Sequence, residues 1–385
     1  MKKRINELMD LMDKNDLDII ICTLSENILA LTGYWTLTGL TALIVFKNGS
    51  LTLIAPISEE KFIKEQNVDK VEFFKYGSII DEYPIVSINK IIKKYIERRV
   101  KKIGMELDYD TVTPTGWAGE ARIFLNKVKN YIVGYNPGVL FSDVTFELDK
   151  TRSIKTIEEV ERIILANEIA GFGIEAFKKN VVPGNSAVKI STEVEKAIIE
   201  FGTGYKGNKI ARGWANIFVG SDTYNARLEG YSNNKVIKKD ELAFIELGVV
   251  ADGFWSDLTR VFCAGKPGKE IKEIHKIVND AYMACEKKIK NDVPAKEVDR
   301  IARDFITEND YGENFVHHTG HGLGFKFHEP IPKITPFSDD VLKEGMIIAV
   351  EPGIYIKDTM GLRIENNILV EKNNCKRLSL SDFSL

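Results

Sequence analysis

Hydrophobic and polar positions along the first 150 residues follow both helical and strand periodicities. The opening segment has hydrophobic residues at helical spacing, at Ile5, Leu8, Met9, Leu11 and Met12. Apolar runs typical of strands follow at 17–23, 41–49 and 50–56, with an Asn48-Gly49 turn between the last two. A helix at 88–99, with Ser87 as its N-cap, and a strand at 101–107 come next. The pattern predicts an α/β domain over residues 1–150.

After about residue 150 the pattern changes to long helices separated by strands. Thr156 and Glu159 occupy the two positions of a capping box at the first helix. Periodicity predicts helices at 157–179, 185–201, 267–290 and 294–309, and strands at 242–251, 254–263, 346–356 and 362–370. These elements do not alternate as regular βαβ units, so we predict an α+β domain over residues 151–385.

Composition places the chain among globular proteins. Of its 385 residues 44% are hydrophobic and 28% are charged, and the formal net charge is −3. These values allow a large core and give no reason to expect nucleic acid or a membrane surface as a partner. The four cysteines form no CxxC pair, no run of 18 apolar residues occurs, and the charged start does not resemble a signal peptide. We therefore expect a soluble, cytoplasmic protein with reduced thiols.

Four of the five histidines lie in one segment, FVHHTGHGLGFKFHEP, at residues 315–330. They are His317, His318, His321 and His328; the fifth, His275, lies on a predicted helix. The glycines between them permit close approach of the backbone. Surface histidines in a turn would explain one imidazole better than four. If a metal binds here, one or two imidazoles cannot complete its coordination, and carboxylates must come from elsewhere.

Two hairpin-like segments could supply those carboxylates. Glu246 and Asp257 lie symmetrically about a turn at 251–253, and facing cross-strand side chains come about 5 Å apart. Glu351 and Glu365 are placed in the same way about a second turn. Each pair lies among apolar residues, where a carboxylate is costly unless it is paired or binds a cation. Four unrelated acids paired with arginines are the alternative, but together with the histidines the pairs favour a metal site.

The order of these motifs resembles that of the pita-bread metallopeptidases. E-x-G and SDLTR, then HHTGHGLGFKFHEP, then EPGIY and GLRIEN follow one another between about residues 240 and 370. The family includes prolidase, Xaa-Pro aminopeptidase, methionine aminopeptidase and the metal-free relative creatinase. The segment LDIIICTLSENILALTGY makes residues 1–150 similar to the creatinase-type N-terminal domain. The resemblance therefore implies the prolidase, Xaa-Pro aminopeptidase and creatinase branch, with a pita-bread fold over 151–385.

Carried over position by position, the resemblance implies five ligands for one or two divalent cations. These ligands are Glu246, Asp257, His321, Glu351 and Glu365. Asp257 and Glu365 would bridge two cations, and Glu351 would also pass a proton to the leaving amine. Matching positions imply catalytic roles for His317, His328 and Arg363. His318 has no counterpart in the motif and is expected to be incidental. The ligand set suits Mn²⁺, Co²⁺, Fe²⁺ or Zn²⁺ without choosing among them.

Three positions depart from the family pattern. The first ligand is normally Asp, and the extra methylene of Glu246 moves its carboxylate by about 1.5 Å. One firmly held ion and a weaker second are therefore expected. The upstream catalytic histidine of the family is missing from residues 216–230, where Asn225 or Arg227 falls near its place. Asn366 stands where an Asp often follows the last ligand.

The resemblance implies a metal-dependent hydrolase that cleaves a C–N bond in a small, dipeptide-like substrate. It also implies a homodimer in which the N-terminal domain of one protomer lines the cleft of its partner, with Tyr34 and Trp35 as candidate lining aromatics. The missing histidine favours low activity on ordinary Xaa-Pro dipeptides. A creatinase-like, metal-independent C–N hydrolase and a non-catalytic binding protein with the same fold are the alternatives.

Overall fold

The computed structural model describes residues 2–63, 67–76, 78, 80–96, 99–108, 125–227, 232–379, 383 and 385. The described residues form two compact units, one ending at Arg152 and one running from Ser153 to Leu385. In the described part of the chain no helix combines the length and the apolar composition that a bilayer crossing requires.

The first unit is built on one mixed six-stranded sheet. In chain order its elements are α1 (Lys2–Lys14), β1 (Ile19–Cys22), α2 (Ser25–Thr32), β2 (Ala42–Phe46), β3 (Leu51–Pro56), α3 (Glu60–Ile63), β4 (Lys70–Phe74), α4 (Pro84–Tyr95), β5 (Lys102–Met105), α5 (Leu125–Tyr135), β6 (Leu140–Asp143) and α6 (Thr145–Ser153). The strand order is β4-β3-β2-β1-β5-β6. Because side chains alternate along β1, Ile20 packs with α1 and α2, whereas Ile19 and Ile21 pack with α4 and α5.

The helix predicted at 88–99 is displaced from the observed α4. The observed helix begins at Pro84, with Tyr83 as the N-cap residue. Proline suits this position because the first helical turn leaves its N–H groups without intrahelical partners. Ser87 therefore lies inside the helix, and its hydroxyl donates to Glu82 at 3.0 Å instead of capping.

The second unit combines four helices with three sheets. In chain order its elements are α7 (Ile157–Asn180), α8 (Ala187–Gly202), β7 (Ala211–Val219), β8 (Leu242–Ala251), β9 (Phe254–Cys263), α9 (Lys269–Lys288), α10 (Ala295–Glu308), β10 (Gly320–Gly322), β11 (Glu329–Ile334), β12 (Ile347–Val350), β13 (Gly353–Ile356), β14 (Met360–Arg363), β15 (Asn366–Val370) and β16 (Cys375–Arg377). The sheets are β7-β8-β9, β11-β10-β12-β15-β16 and β13-β14. Helices α7 and α8 share an apolar core with β7, β8 and β9, and α9 and α10 contribute to a second core.

Local sequence signals fix several of these elements. Thr156 and Glu159 form the expected capping box, in which each side chain accepts a hydrogen bond from the backbone N–H of the other residue. The strands predicted at 242–251 and 254–263 coincide with β8 and β9. The strands predicted at 346–356 and 362–370 are each wrong as single strands, because the first is interrupted at 351–352 and the second at 364–365.

These two interruptions lie opposite each other. Val350 pairs with Asn366 on one side of the gap, and Gly353 pairs with Arg363 on the other, in one shared register. Glu351 and Glu365 therefore face each other where the ladder opens, as their symmetry about the turn predicts. The break frees both residues from strand pairing, and it places two carboxylates at one point of the fold.

Candidate metal centre

Side chains from two sheets, and from the gap where two strand pairs are interrupted, converge on one cluster. Glu246 lies on β8, Asp257 on β9 and His321 on β10, whereas Glu351 and Glu365 lie at the opening between the interrupted strands. Three overlapping groups have nitrogen or oxygen atoms within 4.8 Å of one another. The groups are Asp257, His321 and His328; His321, Glu351 and Glu365; and Glu246, Asp257 and Glu365. The structure thus brings together all five residues that the motifs indicate.

The pairing of β8 with β9 corrects one detail of the expected geometry. Glu246 faces Thr259, and Asp257 faces Gly248, so the two acids are diagonal neighbours and not directly opposite. The hairpin turns at Asp252 and Gly253, one residue later than the symmetry of the acids suggests. When the turn centre shifts by one residue, the cross-strand partner of each residue shifts by two positions. Both side chains therefore stay on the same face of the hairpin.

Two glycines allow His321 to enter the cluster from a central strand. A Cβ on Gly320 would lie 2.0 Å from the backbone oxygen of Ala349, and one on Gly322 would lie 2.2 Å from that of Ile331. Any side chain at either position would therefore push β10 away from its neighbours. The glycines flanking His321 are needed for close backbone approach, as the sequence indicates.

The hydrogen bonding of His321 defines which nitrogen faces the carboxylates. Its Nδ1 lies 2.8 Å from the carbonyl oxygen of Gly322, which can only accept, so Nδ1 carries the proton. Burial lowers the pKa of His321 to about 4, so the ring is neutral near pH 7. The Nε2 lone pair then points toward carboxylate oxygens of Asp257, at 3.4 Å, and Glu351, at 3.7 Å. A backbone-oriented neutral imidazole with a free Nε2 is typical of a metal ligand.

Several buried atoms of the cluster lack the partners that such atoms normally have. Asp257 Oδ1, Glu365 Oε1 and His321 Nε2 make no hydrogen bond with the residues that the structure describes. Burial and the charge of Glu351 raise the pKa of Glu365 to about 7. Burial and the charges of Glu365 and Glu351 raise the pKa of Asp257 well above its usual range. A cation between these atoms would remove the repulsion and satisfy all three, so the residues fit a divalent metal ion.

Arg363 lies within this acidic cluster and is buried. Its Nη2 forms an ion pair with Glu246 Oε2, and its Nη1 lies 3.4 Å from Glu351 Oε2. The Nε group donates to Thr259 Oγ1 at 2.8 Å, and that hydroxyl donates to Glu365 at 2.8 Å. Thr259 was missed by motif reasoning, although it lies two residues after Asp257 on the same face of β9. Because every second side chain of a strand lies on the same face, the position of Asp257 could have identified Thr259.

Tyr355 holds the predicted catalytic residue His317. Nδ1 of His317 lies 2.7 Å from the carbonyl oxygen of His318, and Nε2 lies 3.0 Å from the Tyr355 hydroxyl. Because the carbonyl oxygen must accept, Nδ1 is protonated and Tyr355 donates to Nε2. The same hydroxyl accepts from Arg363 Nη1 at 3.4 Å. His317 is thereby linked to the cluster indirectly, through a tyrosine that no motif singled out.

The two other histidines of the segment both reach the cluster. The ring of His328 lies 4.1 Å from that of His321, and its Nε2 lies 3.9 Å from Asp257 Oδ2. His318, which the motif leaves without a role, also contacts the cluster: its Nε2 lies 3.2 Å from Glu351 Oε1, and its side chain is 24% exposed. The motif gave no signal for this contact because His318 approaches Glu351 only through the packing of β10 beside β12.

The region that lacks the upstream histidine contains a short 3₁₀ segment, Gly220–Arg227. Asn225 is exposed, and the guanidinium of Arg227 lies 3.6 Å from the centre of the Tyr224 ring. Arg227 also donates to the carbonyl oxygen of Tyr224 at 3.0 Å. Residues 228–230 of this predicted region lie outside the described residues. Burial raises the pKa of Tyr355 well above its usual range and the charge of Arg227 acts against this rise, so Arg227 lies near the hydroxyl that holds His317.

Comparison with known proteins identifies the family. The model for metallopeptidase family M24 matches residues 161–372, and the model for the creatinase/prolidase N-terminal domain matches residues 4–121. The Xaa-Pro dipeptidase of Pyrococcus horikoshii is 31% identical over 385 residues, which is 100% of this chain and 99% of that protein. The Xaa-Pro dipeptidase of Pyrococcus furiosus is 30% identical over 386 residues, and the alignment covers 100% of both chains.

Solved structures agree with the sequence relatives. The prolidase from Pyrococcus horikoshii OT3 superposes with a TM-score of 0.81 at 29% identity, covering 100% of this chain and 99% of that one. The Xaa-Pro dipeptidase from Bacillus anthracis gives a TM-score of 0.82 at 26% identity, with the same coverage. The predicted pita-bread fold with a creatinase-type N-terminal domain is confirmed. The chain belongs to metallopeptidase family M24 and is a metallohydrolase of the Xaa-Pro dipeptidase type.

Proposed function

We propose that the chain hydrolyses Xaa-Pro dipeptides with a divalent cation held by Asp257, His321, Glu351 and Glu365, with Glu246 at the edge of the site. The unsatisfied buried atoms of the cluster carry this proposal. Two carboxylate oxygens and the lone pair of a neutral imidazole have no hydrogen bond from the described residues, and all three belong to the overlapping groups of side chains in the cluster. Such an arrangement is unfavourable unless a cation lies between them. The identity to Xaa-Pro dipeptidases over the whole chain supports the substrate class.

The side chains around the cluster have separate tasks in the proposed reaction. A divalent cation bound there would lower the pKa of a water molecule and polarise the scissile carbonyl group. Glu351 accepts the proton of the attacking water and passes it to the leaving proline nitrogen. His328, whose Nδ1 makes no hydrogen bond with the described residues, steadies the substrate beside the cluster. Arg363 and Tyr355 hold Glu246 and His317 in place.

The ligand chemistry restricts the choice of metal. Carboxylates with one imidazole suit Mn²⁺, Co²⁺, Fe²⁺ and Zn²⁺. We propose Mn²⁺ as the working cation, because a set dominated by oxygen atoms from Asp257, Glu351 and Glu365 favours a harder ion. A creatinase-like, metal-independent activity is disfavoured, since the single charge of Arg363 would leave most of the negative charge of these buried carboxylates uncompensated.

Low activity on common dipeptides is part of the proposal. The family's upstream histidine has no equivalent in residues 216–227, where Asn225 is exposed and Arg227 lies over Tyr224. Losing a positioned acid or base typically costs about 10²–10⁴-fold in rate. We therefore propose a narrower substrate range than that of a general prolidase.

We also propose that the active protein is a cytoplasmic homodimer, on the strength of its resemblance to prolidases alone. Tyr34 cannot line a partner's cleft as the sequence suggests, because it is 1% exposed and donates its hydroxyl to Glu59. Trp35 is partly exposed and stays a candidate. Light scattering of the purified protein tests the dimer directly.

A dipeptide panel tests the proposed reaction. Ala-Pro, Met-Pro and Glu-Pro are incubated with the protein and Mn²⁺, beside Ala-Ala as a substrate without proline. We expect slow release of proline from at least one Xaa-Pro dipeptide. We expect no hydrolysis of Ala-Ala. Glu351→Gln should reduce the rate by about 10²–10⁴-fold, because it removes the proton carrier.

Glu344→Gln serves as the matched control, because Glu344 is an exposed acid on the surface. It should leave the rate unchanged. Equal rates for Glu351→Gln and wild type would contradict the assigned role. Turnover of Ala-Pro and Met-Pro at rates typical of prolidases would show that the missing histidine is dispensable and would refute the narrow substrate range.

A further inference from the structure

Helix α10 directs a charged side chain into the interior of the second unit. Asp299 is 0% exposed, and its neighbours Val298 and Ala302 belong to an apolar core. A carboxylate in such surroundings is costly unless it is paired and hydrogen-bonded. Its partner is Arg303, about one helical turn later, whose Nε and Nη2 donate to the two oxygens of Asp299 at 2.9 and 2.8 Å. Further contacts of this ion pair lead to the histidine segment.

Arg303 holds the start of the histidine segment by its backbone. Its Nη1 donates to the carbonyl oxygen of Phe315 at 3.0 Å, and its Nη2 donates to that of His317, also at 3.0 Å. The guanidinium lies 4.4 Å from the centre of the Phe315 ring. Because the donors of a guanidinium form a rigid planar fork, these contacts fix His317 relative to α10.

Asp299 holds the same segment two residues further on. Its Oδ1 accepts a hydrogen bond from the Thr319 hydroxyl at 2.7 Å, and Thr319 is also 0% exposed. The carbonyl oxygen of Thr319 in turn accepts from the backbone N–H of Glu351 at 2.9 Å. Glu351 lies between β12 and β13 and outside both strands. The bond to Thr319 therefore holds the backbone of Glu351 at the point where β12 ends.

We propose that Asp299 and Arg303 are positioning residues of the metal centre, which place His317 and Glu351 for the reaction through the segment 315–319. This inference rests on the proposed metal-dependent hydrolysis. The path from Asp299 to Glu351 consists of one hydroxyl and one peptide group, both from Thr319. Loss of an ion pair that served folding alone would lower stability and leave the turnover of the folded protein unchanged. Loss of a positioning pair lowers the turnover of the folded protein as well.

Thr319 offers the mildest way to break this path. Thr319→Val keeps the shape of the side chain and removes the hydroxyl, whereas Thr319→Ser keeps the hydroxyl. We expect Thr319→Val to lower kcat by about 10–100-fold, the usual cost of losing a group that orients a metal ligand. KM should change little, because the proton carried by Glu351 moves in the chemical step. Thr319→Ser should stay close to wild type. Steady-state kinetics at saturating Mn²⁺, corrected for the folded fraction by circular dichroism, measures these values.

Two further variants test the ion pair itself. Arg303→Lys keeps the charge but loses the planar fork, so it cannot bind Asp299 and both carbonyl oxygens at once. Asp299→Asn keeps the shape and loses the charge. Each should lower kcat by about 10–100-fold and weaken Mn²⁺ binding, which equilibrium dialysis measures without reference to activity.

The same helix supplies a matched control. Arg300 is a surface arginine of α10 that pairs with Glu297 and Asp304. Arg300→Lys should leave kcat and Mn²⁺ affinity unchanged. If Asp299→Asn does not fold, the comparison of Thr319→Val with Thr319→Ser carries the test.

The outcomes separate the inference from the function on which it rests. Wild-type kcat and Mn²⁺ affinity in folded Thr319→Val or Arg303→Lys protein would overturn the positioning role and leave the proposed function standing. Equal losses in Thr319→Val and Thr319→Ser would also overturn it, because the hydroxyl would then not be the cause. No Mn²⁺-dependent release of proline from any Xaa-Pro dipeptide by wild type would refute the proposed function, and the inference with it.

Discussion

His318 places a second imidazole beside the proposed proton carrier. Its Nε2 lies 3.2 Å from Glu351 Oε1, and it is more exposed than the fully buried His321. Burial acts to lower the pKa of His318, but the hydrogen bond to Glu351 and the negative charges of Glu351, Glu365 and Asp299 together raise it. The imidazole can therefore orient Glu351 and moderate its charge before the substrate arrives.

Removal of this contact should affect catalysis. We expect His318→Ala to lower kcat/KM by about 10–100-fold, the usual cost of losing a partner of a metal-bound carboxylate. His318→Gln should keep most of the activity, because its amide nitrogen can reach the position of Nε2 and donate to Glu351. Steady-state kinetics on the preferred Xaa-Pro dipeptide, with both variants at saturating Mn²⁺, measures the difference. A fully active His318→Ala protein would restore the view that this histidine is incidental.

At the residue level, the sequence predicted the candidate site residues that belong to recognisable motifs. The four acids could be found as two symmetric pairs, the family resemblance selected His321 from the histidine segment, and the structure brings these five candidate ligands together. Three contacts could not be predicted from the sequence. They are those of Arg363 with Glu246, of Tyr355 with His317 and of His318 with Glu351. Each joins strands that are distant in sequence, so only the folded arrangement determines which side chains meet.

At the level of elements, β10 depends on glycine at both positions that flank His321. This three-residue strand is paired on both sides, with β11 and with β12. A Cβ on Gly322 would lie 2.2 Å from the carbonyl oxygen of Ile331, a backbone atom that cannot move aside without shifting β11. The close spacing between β10 and its two neighbouring strands thus sets the position of His321.

Alanine substitution tests this requirement. Gly322→Ala should lower the free energy of unfolding by about 1–3 kcal/mol, the usual cost of forcing extra volume into a packed site. It should also weaken Mn²⁺ binding, because His321 moves with the strand. Gly171→Ala is the matched control, since Gly171 lies in α7 with nothing within 4 Å of the added Cβ. It should raise the free energy of unfolding by up to about 1 kcal/mol.

Urea unfolding followed by circular dichroism, with Mn²⁺ binding measured in parallel, compares the two variants. Equal stability and equal Mn²⁺ affinity for Gly322→Ala and wild type would show that β10 tolerates a side chain. The close approach in the structure would then have no functional consequence.

Element boundaries were predictable where local chemistry sets them. The capping box at Thr156 and the tight turn between β8 and β9 gave ends that match the structure closely. The start of α4 was missed because Pro84 was not used as a helix-start signal. The gaps at Glu351 and Glu365 were missed because the flanking residues are apolar and continue the strand pattern. The strands are interrupted where different sheets meet. The hydrophobic periodicity of one strand gives no sign of such a junction.

At the scale of the whole molecule, the proposed function depends on compensating a buried negative charge. Four carboxylates share the cluster with a neutral His321 and with the guanidinium of Arg363. Burial and mutual repulsion raise the pKa of Asp257 and of Glu365, so without a further cation these two carboxyl groups retain protons more readily than exposed ones do. Metal binding would displace those protons, which couples affinity to pH. The same charge deficit explains why a metal-dependent activity is favoured over a metal-free one.

Restoration of activity by metal is the most direct test of this account. The protein is dialysed against a chelator and then against metal-free buffer, and proline release from its best Xaa-Pro dipeptide is measured before and after Mn²⁺ is added back. We expect no detectable release from the stripped protein and recovery of the original rate with Mn²⁺. An unchanged rate in the stripped protein, with manganese, cobalt, iron and zinc all verified as absent, would contradict the metal-dependent mechanism.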